Sequence, residues 1–422
     1  MACLSGGDGC GATTGANGGE YFDAIFFDVR IGEKADAGAP ALPTVVLERS
    51  VEVPGILQTL FAADDGCEII SLVKLQGSLR LQPQPSIVTR FGAVIDKTIL
   101  PNAAQRSYGW PTRLSDKNII SPYQSTGGSG SFSQTGLEQG LIVTDQNGGV
   151  IADKNILREH GLTRPVAVLE HEGKITVVAN NGEPNVEIID GKEVVLFKRP
   201  SAIIVYDPAN IASDPGKVYE LLGVYNANTI SSRPDGLGGN VLVIGAAGSD
   251  YITSRSEPGK IVLVDPKSFT IKSVHPDMVA GLGLGGVASV MGAQVLLTGS
   301  APNNNSIALF TPDNKFRPVP LPKNLVAQYG TGLTDIPGAL FVTSSSFLFN
   351  IWQPPAQGSE TRTYIIDTDG QSELLGTPVA SNFAIAPAQY GSRLYCTGAA
   401  QTRRDVNGNT FSQVTFWSIP QP

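Results

Sequence analysis

The chain has 422 residues, of which 41% are hydrophobic, and its charged fraction of 16% lies below the roughly 25% typical of soluble domains. This length suffices for two or three average domains or for one large repeat fold. The formal net charge of -8 argues against nucleic acids and anionic membranes as partners, and no apolar run reaches the roughly 18 residues of a membrane-spanning helix.

Residues 1–20 are rich in glycine and small polar residues, which predicts a flexible N-terminal segment followed by a single domain over residues 21–422. The first residues lack the basic and apolar regions of a signal peptide. Cys3, followed by a tether of small residues, resembles the start of a mature lipoprotein to which Met1 has been added. We therefore expect an extracellular, cell-surface or periplasmic protein, with a virion or other intracellular protein as the alternative.

Strand candidates dominate the first hundred residues of the chain. Apolar runs at 24–27 and 44–47 predict two N-terminal strands. Further strands are predicted at 56–62, 68–75, 78–81 and 87–95, with turns at 64–66 and at the Pro-Gln-Pro sequence 83–85.

From about residue 106 a repeating unit becomes clear. An apolar strand ends on a turn that carries an aspartate, and the turn recurs about every 50 residues, at Asp145, Asp207, Asp265, Asp313 and Asp367. A strand that begins with glycine precedes each of the last four aspartate turns, at 173–178, 239–244, 292–297 and 338–342, and a fifth such strand, 391–396, precedes the closing strand of the chain. Small residues follow these strands, as expected where strands converge.

A period of about 50 residues with several strands per unit indicates a β-propeller. We predict an all-β fold of seven four-stranded blades, at 54–100, 106–160, 162–223, 224–275, 277–322, 326–377 and 380–420, in which the N-terminal strands complete the last blade. A ring of blades buries neighbouring faces and leaves few free strand edges. Six blades with additions, or β-sandwiches in tandem, are the alternatives.

The succession of glycine turn, strand, small-residue loop, strand and aspartate turn resembles the quinoprotein-dehydrogenase-like and lactonase-like propeller superfamily over residues 106–420. The resemblance implies the fold. It implies no particular activity or catalytic residue, because the superfamily includes enzymes, binding proteins and scaffolds.

The chain contains four cysteines, Cys3, Cys10, Cys67 and Cys396, an even number that is compatible with two disulfides. Cys3 with Cys10 would close a small loop, and Cys67 with Cys396 would join the start of the fold to its end. The alternative for Cys396 is a buried small apolar residue on a strand. The spacing of cysteines and histidines matches no zinc site.

In a propeller, the loops that lead into the innermost strands surround one mouth of the central channel. These loops carry aromatic, arginine, histidine and amide side chains, which predict a ligand-binding mouth. The candidate residues are Tyr108, Trp110, Arg113, His160, Arg164, Asn226, Asn228, His275, Asp277 and Tyr329. A general base at neutral pH would have to be His160 or His275; the alternative is that all of these are ordinary polar loop ends.

Two further kinds of site are suggested by loops. Asp405, Asn407 and Asn409 place oxygen ligands at alternate positions, as Ca²⁺ prefers, although the spacing is equally that of a common turn. The stretch 344–362 reads as a long loop whose Phe347, Phe349 and Trp352 predict an interface with another chain; the alternative is that it folds back onto its blade.

We therefore expect a non-enzymatic binding or scaffold propeller, acting on a protein partner or in self-assembly and needing no cofactor except, in one interpretation, Ca²⁺. The alternative is a hydrolase of the lactonase or esterase type at the channel mouth. A quinone-dependent redox enzyme is disfavoured, because the chain has only three tryptophans and no cofactor motif.

Overall fold

The computed structural model describes residues 41–74, 81–96, 106–108, 111–125, 138–145, 147–181, 185–189, 192–196, 199–248, 260–276, 286–300, 305–320, 338–353 and 359–420. The chain divides into residues 1–40 and residues 41–422. The predicted flexible segment 1–20 and the predicted strand at 24–27 lie outside the described residues.

Strands make up most of the described chain, and the first of them pair into two blades. After β1 (Val46–Pro54), blade 1 consists of β2 (Ile56–Ala62), β3 (Gly66–Lys74), β4 (Leu81–Thr89) and β5 (Val94–Asp96). Blade 2 consists of β6 (Arg106–Tyr108), β7 (Thr112–Arg113), β8 (Ile119–Ser125), β9 (Gln139–Thr144) and β10 (Val150–Asn155), with β6 and β7 both pairing with β8. A short helix, α1 (Ile156–His160), leads to blade 3.

The middle blades follow the same order. Blade 3 consists of β11 (Leu162–His171), β12 (Lys174–Asn181), β15 (Arg199–Tyr206) and β16 (Lys217–Glu220), and β13 (Asn185–Ile189) and β14 (Lys192–Leu196) form a separate hairpin within it. A single 3₁₀ turn, Pro208–Asn210, precedes β16. Blade 4 consists of β17 (Tyr225–Pro234), β18 (Asn240–Gly248), β19 (Lys260–Val264) and β20 (Ile271–Pro276).

The last three blades complete the ring. Blade 5 consists of β21 (Gly286–Met291), β22 (Gln294–Ser300), β23 (Asn305–Phe310) and β24 (Phe316–Val319). Blade 6 consists of β25 (Gly338–Thr343), β26 (Ser346–Gln353), β27 (Glu360–Asp367) and β28 (Ser372–Ala380). Blade 7 consists of β29 (Phe383–Gln389), β30 (Leu394–Arg404), β31 (Thr410–Ser418) and, as its outermost strand, β1.

The described residues thus form a seven-bladed β-propeller of antiparallel blades, as the sequence predicts. From blade 3 through blades 4 to 7 to blade 1, the first strand of each blade contacts the first strand of the next and so lies nearest the axis, whereas blade 2 contacts β11 through β8 and β2 through β7. Apolar side chains fill the spaces between blades; one such cluster joins Ile120 and Leu141 of blade 2 to Ile175 and Ile204 of blade 3. No helix among the described residues is long and apolar enough to span a membrane.

The ring closes where blade 7 meets blade 1. The predicted N-terminal strand is β1, which pairs with β31 from Val46 opposite Ser418 to Pro54 opposite Phe411. Cys67 of β3 and Cys396 of β30 form a disulfide between the second strands of the two blades, and both are fully buried. The closure therefore joins residues that are 329 positions apart.

Aspartates cap the turns between strands, which explains their periodicity. Asp145 Oδ1 accepts hydrogen bonds from the backbone N–H groups of Asn147 and Gly149, and Asp367 Oδ1 accepts from Asp369 and Gln371. Because a carboxylate mimics the missing backbone acceptor of a turn, the repeated aspartate marks the connection from the third to the fourth strand of a blade.

Three details of the predicted strands are wrong. The predicted strand at 87–95 is interrupted by a turn after Thr89, so that it covers the end of β4 and the start of β5. Residues 338–342 form the innermost strand of blade 6 and not its second strand, which is β26. Pro83 and Pro85 lie in β4 and not in a turn. Prolines are tolerated at a strand edge, and among the described residues β5 pairs only with Ser86–Val88, so that it does not cover either proline.

Candidate functional site

Antiparallel pairing places the start of each innermost strand and the end of each second strand at one end of the ring. We call this the entry end. Among the described residues it carries the first residues of β2, β11, β17 and β29 and the last residues of β12, β26 and β30. The opposite end carries the tight hairpins, such as the turn capped by Asp235, and the aspartate turns.

Three residues at the entry end have a left-handed backbone inside a strand. They are Arg164 of β11 (φ 47°), Asn226 of β17 (φ 51°) and Gln401 of β30 (φ 55°). The left-handed backbone conformation costs a residue other than glycine roughly 1–2 kcal/mol. At the opposite end, left-handed residues such as Glu172 and Asn314 lie in turns, where the conformation is ordinary.

Bulges in the innermost strands account for part of this geometry. The pairing of β2 with β3 skips Gln58, that of β11 with β12 skips Arg164, and that of β17 with β18 skips Asn228. A bulge re-aims side chains that would otherwise alternate across the sheet, and bulges are frequent next to binding sites. Polar residues therefore occupy irregular positions near the channel.

Four neutral side chains of blades 6 and 7 form what we call the aromatic–amide cluster: Trp352, Asn382, Phe383 and Gln401. The rings of Trp352 and Phe383 stack with centroids 6.1 Å apart and an interplanar angle of 29°. Trp352 Nε1 donates to Ser381 O at 3.1 Å, and Asn382 Nδ2 donates to Gln401 Oε1 at 2.8 Å. Phe383 remains 42% exposed.

A buried serine fixes the backbone of Gln401 in this cluster. Ser412 Oγ accepts hydrogen bonds from Leu57 N at 3.0 Å and from Gln401 N at 3.1 Å, and it donates to Gly55 O at 2.7 Å. Because Leu57 and Gln401 share one oxygen, the backbone beside Gln58 lies close to that of Gln401. Blade 1 therefore adjoins blade 7 beside Gln401.

A second polar group lies between blades 3 and 4. Ser201 Oγ donates to Asn180 Oδ1 at 2.9 Å and accepts from Ala227 N at 3.1 Å. Asn180 is 1% exposed, and within the described part of the chain its Nδ2 has no hydrogen-bond partner; the same holds for the buried Oδ1 of Asn228. These atoms can bind a small polar molecule such as water.

One buried charge at the entry end is paired within its own blade. Arg106 of β6, only 5% exposed, donates to Asp153 Oδ2 at 2.8 Å and to Glu138 Oε2 at 2.7 Å, and its guanidinium lies 3.9 Å from the centre of the Tyr123 ring. Burial opposes the charge of Arg106, but the hydrogen bonds to Glu138 and Asp153 raise its pKa above the ordinary value. This arginine is a structural cation held within blade 2.

The predicted mouth residues do not all meet. Arg164, Asn226 and Asn228 lie on innermost strands at the entry end, and His160 lies in α1 with its Nε2 buried. Arg113 lies at the opposite end, 3.7 Å from Asp64 and 3.9 Å from Glu68, because β7 ends there. Trp110, Asp277 and Tyr329, and the side chain of Tyr108, lie outside the described residues.

His275 lies on the outermost strand of blade 4 and not beside the channel. Its ring packs against Phe310 of blade 5 with centroids 5.2 Å apart, and its Nε2 lies 2.8 Å from Ser273 Oγ. Burial, and secondarily the charge of Arg233, lower the pKa of His275 below its ordinary value. The predicted convergence of a histidine with carboxylates is therefore absent around His275 among the described residues.

The predicted interface residues separate into two groups. Phe347 and Phe349 are fully buried in β26, paired on both sides, so the prediction that they contact another chain is wrong. The sequence predicts a loop there because the glycine-led strand at 338–342 resembles the second strands of the other blades, whereas it is the innermost strand of blade 6. Trp352, at the end of the same strand, is partly exposed and belongs to the aromatic–amide cluster.

The predicted calcium loop forms an aspartate turn. Asp405 Oδ1 accepts from the backbone N–H groups of Asn407 and Asn409, and its Oδ2 accepts from Asn409 Nδ2 at 2.8 Å. Hydrogen bonds from Asn409 lower the pKa of Asp405. In the part of the chain that the structure describes, no group of three or more His, Cys, Asp and Glu side chains is placed to hold a metal ion; Ca²⁺ binding stays a prediction.

Comparisons with known proteins assign no family to the chain. No protein-family model and no curated protein matches it. Three similar solved structures are each 10% identical to this chain. A luciferin-regenerating enzyme has a TM-score of 0.40 and covers 88% of this chain and 95% of its own, and a neuraminidase-like protein from A/bat/Guatemala/164/2009 has a TM-score of 0.44 and covers 75% and 91%. A Pyrococcus horikoshii acylaminoacyl peptidase has a TM-score of 0.46 and covers 82% of this chain and 50% of its own. At this similarity they assign neither a family nor an activity.

Phe383 and Gln401 are candidate site residues that the sequence does not reveal. No local pattern marks Gln401, because its backbone is set where the pairing of β30 with β31 shifts register between Ala399 and Arg403. Phe383 reads as an ordinary strand residue. Its side chain is exposed because Phe383 is the first residue of an innermost strand.

Proposed function

We propose that this protein is a non-enzymatic binding propeller whose ligand contacts the entry end. The supporting observation is the coincidence at that end of left-handed residues within strands and a partly exposed aromatic stack. Strained backbone persists where the surrounding structure determines it, and it is concentrated at binding sites. Aromatic and amide side chains supply contact area and hydrogen bonds without an acid–base pair.

The buried disulfide supports the proposal that the protein functions outside the reducing cytosol. Disulfides persist in secreted, cell-surface and periplasmic proteins and are rare in cytosolic ones. Cys67 and Cys396 lie in the closure of the ring, where a disulfide stabilises the fold. We accordingly propose an extracellular, cell-surface or periplasmic binding protein, which recognises its partner through blades 6, 7 and 1.

The proposal is tested on arrays that carry both peptides and oligosaccharides, with the bound molecule recovered and analysed by mass spectrometry. We expect binding that Phe383→Ala weakens and Leu237→Ala does not, and we expect the bound molecule to be unchanged. Leu237 is a matched control because it is 90% exposed in a turn at the opposite end. Cleavage of the bound molecule with turnover, or binding that is indifferent to Phe383→Ala, would contradict the proposal.

A further inference from the structure

The aromatic–amide cluster offers a flat apolar face whose position is fixed. The indole N–H of Trp352 is held by Ser381 O, and Phe383 stacks on that indole. The carbonyl of Phe383 accepts from Thr361 Oγ1 at 3.2 Å, which ties its backbone to blade 6. A rigid ring with one face against an indole and 42% of the residue exposed presents its remaining surface to a ligand at little entropic cost.

The amides beside this face are arranged in a defined way. Asn382 Nδ2 donates to Gln401 Oε1, and among the described residues neither Asn382 Oδ1 nor Gln401 Nε2 has a hydrogen-bond partner, so that one acceptor and one donor remain for a ligand. Two neighbouring hydroxyl groups, each of which both donates and accepts, satisfy such a pair. The left-handed backbone of Gln401, held by Ser412, sets the position of the donor.

Charge favours a neutral ligand. The cluster contains no ionisable side chain, and Arg403, two residues beyond Gln401 on β30, is paired with both carboxylate oxygens of Glu52 at 2.5 Å. The chain as a whole carries a formal net charge of -8, which disfavours sulfated or sialylated molecules.

We infer that the aromatic–amide cluster binds a neutral oligosaccharide. The apolar C–H face of one pyranose ring lies on Phe383, and two adjacent hydroxyl groups of that ring bond to Asn382 Oδ1 and Gln401 Nε2. This inference rests on the proposed function, since it assigns a ligand class to the same entry end. A peptide is less well matched, because its extended backbone offers no flat C–H face beside paired hydroxyls.

The experiment measures dissociation constants by titration calorimetry with neutral hexasaccharides of glucose, mannose and N-acetylglucosamine, with sialylated and sulfated oligosaccharides, and with a peptide panel. The variants are Phe383→Ala, Phe383→Trp, Gln401→Gly and the control Leu237→Ala. Gln401→Gly removes the amide but suits the left-handed backbone, so the fold is retained. Thermal unfolding verifies that each variant is folded.

We expect at least one neutral hexasaccharide to bind. Phe383→Ala and Gln401→Gly should each raise its dissociation constant about tenfold or more, whereas Phe383→Trp and Leu237→Ala should leave the constant close to that of the wild type. A peptide that binds with the same dependence on Phe383, or an anionic oligosaccharide that binds more tightly than its neutral counterpart, would overturn the ligand class and leave the proposed function standing. If no probe binds in a manner that depends on Phe383, both are overturned.

Discussion

Asn350 and His275 illustrate how single side chains join neighbouring blades. Asn350 is fully buried, donates through Nδ2 to Ile385 O at 2.8 Å and Gly398 O at 2.9 Å, and accepts from Thr363 Oγ1 at 2.8 Å. Each of its polar groups is therefore satisfied. His275 joins blades 4 and 5 in another way, as a largely neutral ring against Phe310.

The lowered pKa of His275 predicts a pH dependence of stability. The unfolded chain, with an ordinary histidine pKa of about 6.5, binds a proton more readily than the folded chain does. The contribution of His275 to the free energy of unfolding is thus complete above about pH 6.5 and is lost as the pH falls through the lower folded pKa. Burial, followed by the charge of Arg233, causes the shift.

The measurement compares urea unfolding of the wild-type protein and of His275→Phe between pH 7.5 and pH 5 (about the range in which histidine titrates). We expect the stability of the wild type relative to the variant to decrease as the pH falls, because phenylalanine keeps the packing and does not titrate. Contributions of the carboxylates cancel in this difference. Parallel pH profiles for the two proteins would contradict the prediction.

Turns and strand contacts explain why glycine and aspartate recur. A Cβ atom at Gly338 would lie 2.6 Å from Ala386 Cβ, and one at Gly398 would lie 2.6 Å from Leu57 Cδ2. These glycines allow innermost and second strands of adjoining blades to approach closely. In the sequence they look the same as turn glycines, which is why residues 338–342 were assigned to the wrong strand of blade 6.

The aspartate turns predict a graded loss of stability. Asp367 is buried, and its Oδ1 accepts from the backbone N–H groups of Asp369 and Gln371. Asp367→Ala leaves both donors without this acceptor and is expected to lower the free energy of unfolding by about 1–3 kcal/mol. Asp367→Asn keeps an oxygen at this position and should cost less. Equal losses in chemical denaturation of the two variants would show that the oxygen does not cap the turn.

Closure of the ring depends on contacts between the two ends of the described chain. Strand β1 completes blade 7, Ser412 bonds to the turn that precedes β2, and the disulfide joins blades 7 and 1. In the unfolded state the same disulfide holds together residues 329 positions apart and restricts a long loop. Both effects favour the folded ring.

Removal of this disulfide should therefore destabilise the protein substantially. We expect the double variant Cys67→Ala, Cys396→Ala to lose about 2–5 kcal/mol of unfolding free energy, measured by urea denaturation. Reductant should lower the stability of the wild type by a similar amount and leave the double variant unchanged. If the wild type and the double variant unfold at the same urea concentration, the disulfide does not stabilise the closure.

Much of the architecture is predictable from local chemistry. The aspartate turns recur because blades 2 to 6 each use the same turn between their third and fourth strands, and the blade boundaries predicted at 162–223 and 224–275 agree closely with blades 3 and 4. The site was predicted less well. Loop positions predict that Arg164, Asn226 and Asn228 lie at one end of the ring, which the structure confirms, whereas the prediction for Arg113, at the far end of a two-residue strand, is wrong.

Turn chemistry and strand periodicity are local, so the residues alone predict an all-β chain whose units repeat. The sequence also predicts that the strand at 44–50 completes the last blade, but the pairing of β1 with β31, at the other end of the described chain, decides it. The aromatic–amide cluster is not local either: one hydroxyl group of Ser412 holds the backbones of Leu57 and Gln401 together, and Phe383 stacks on a tryptophan of the preceding blade. Contacts between residues so far apart in the chain depend on ring closure and on register shifts of single residues, which leave no signal in the neighbouring sequence.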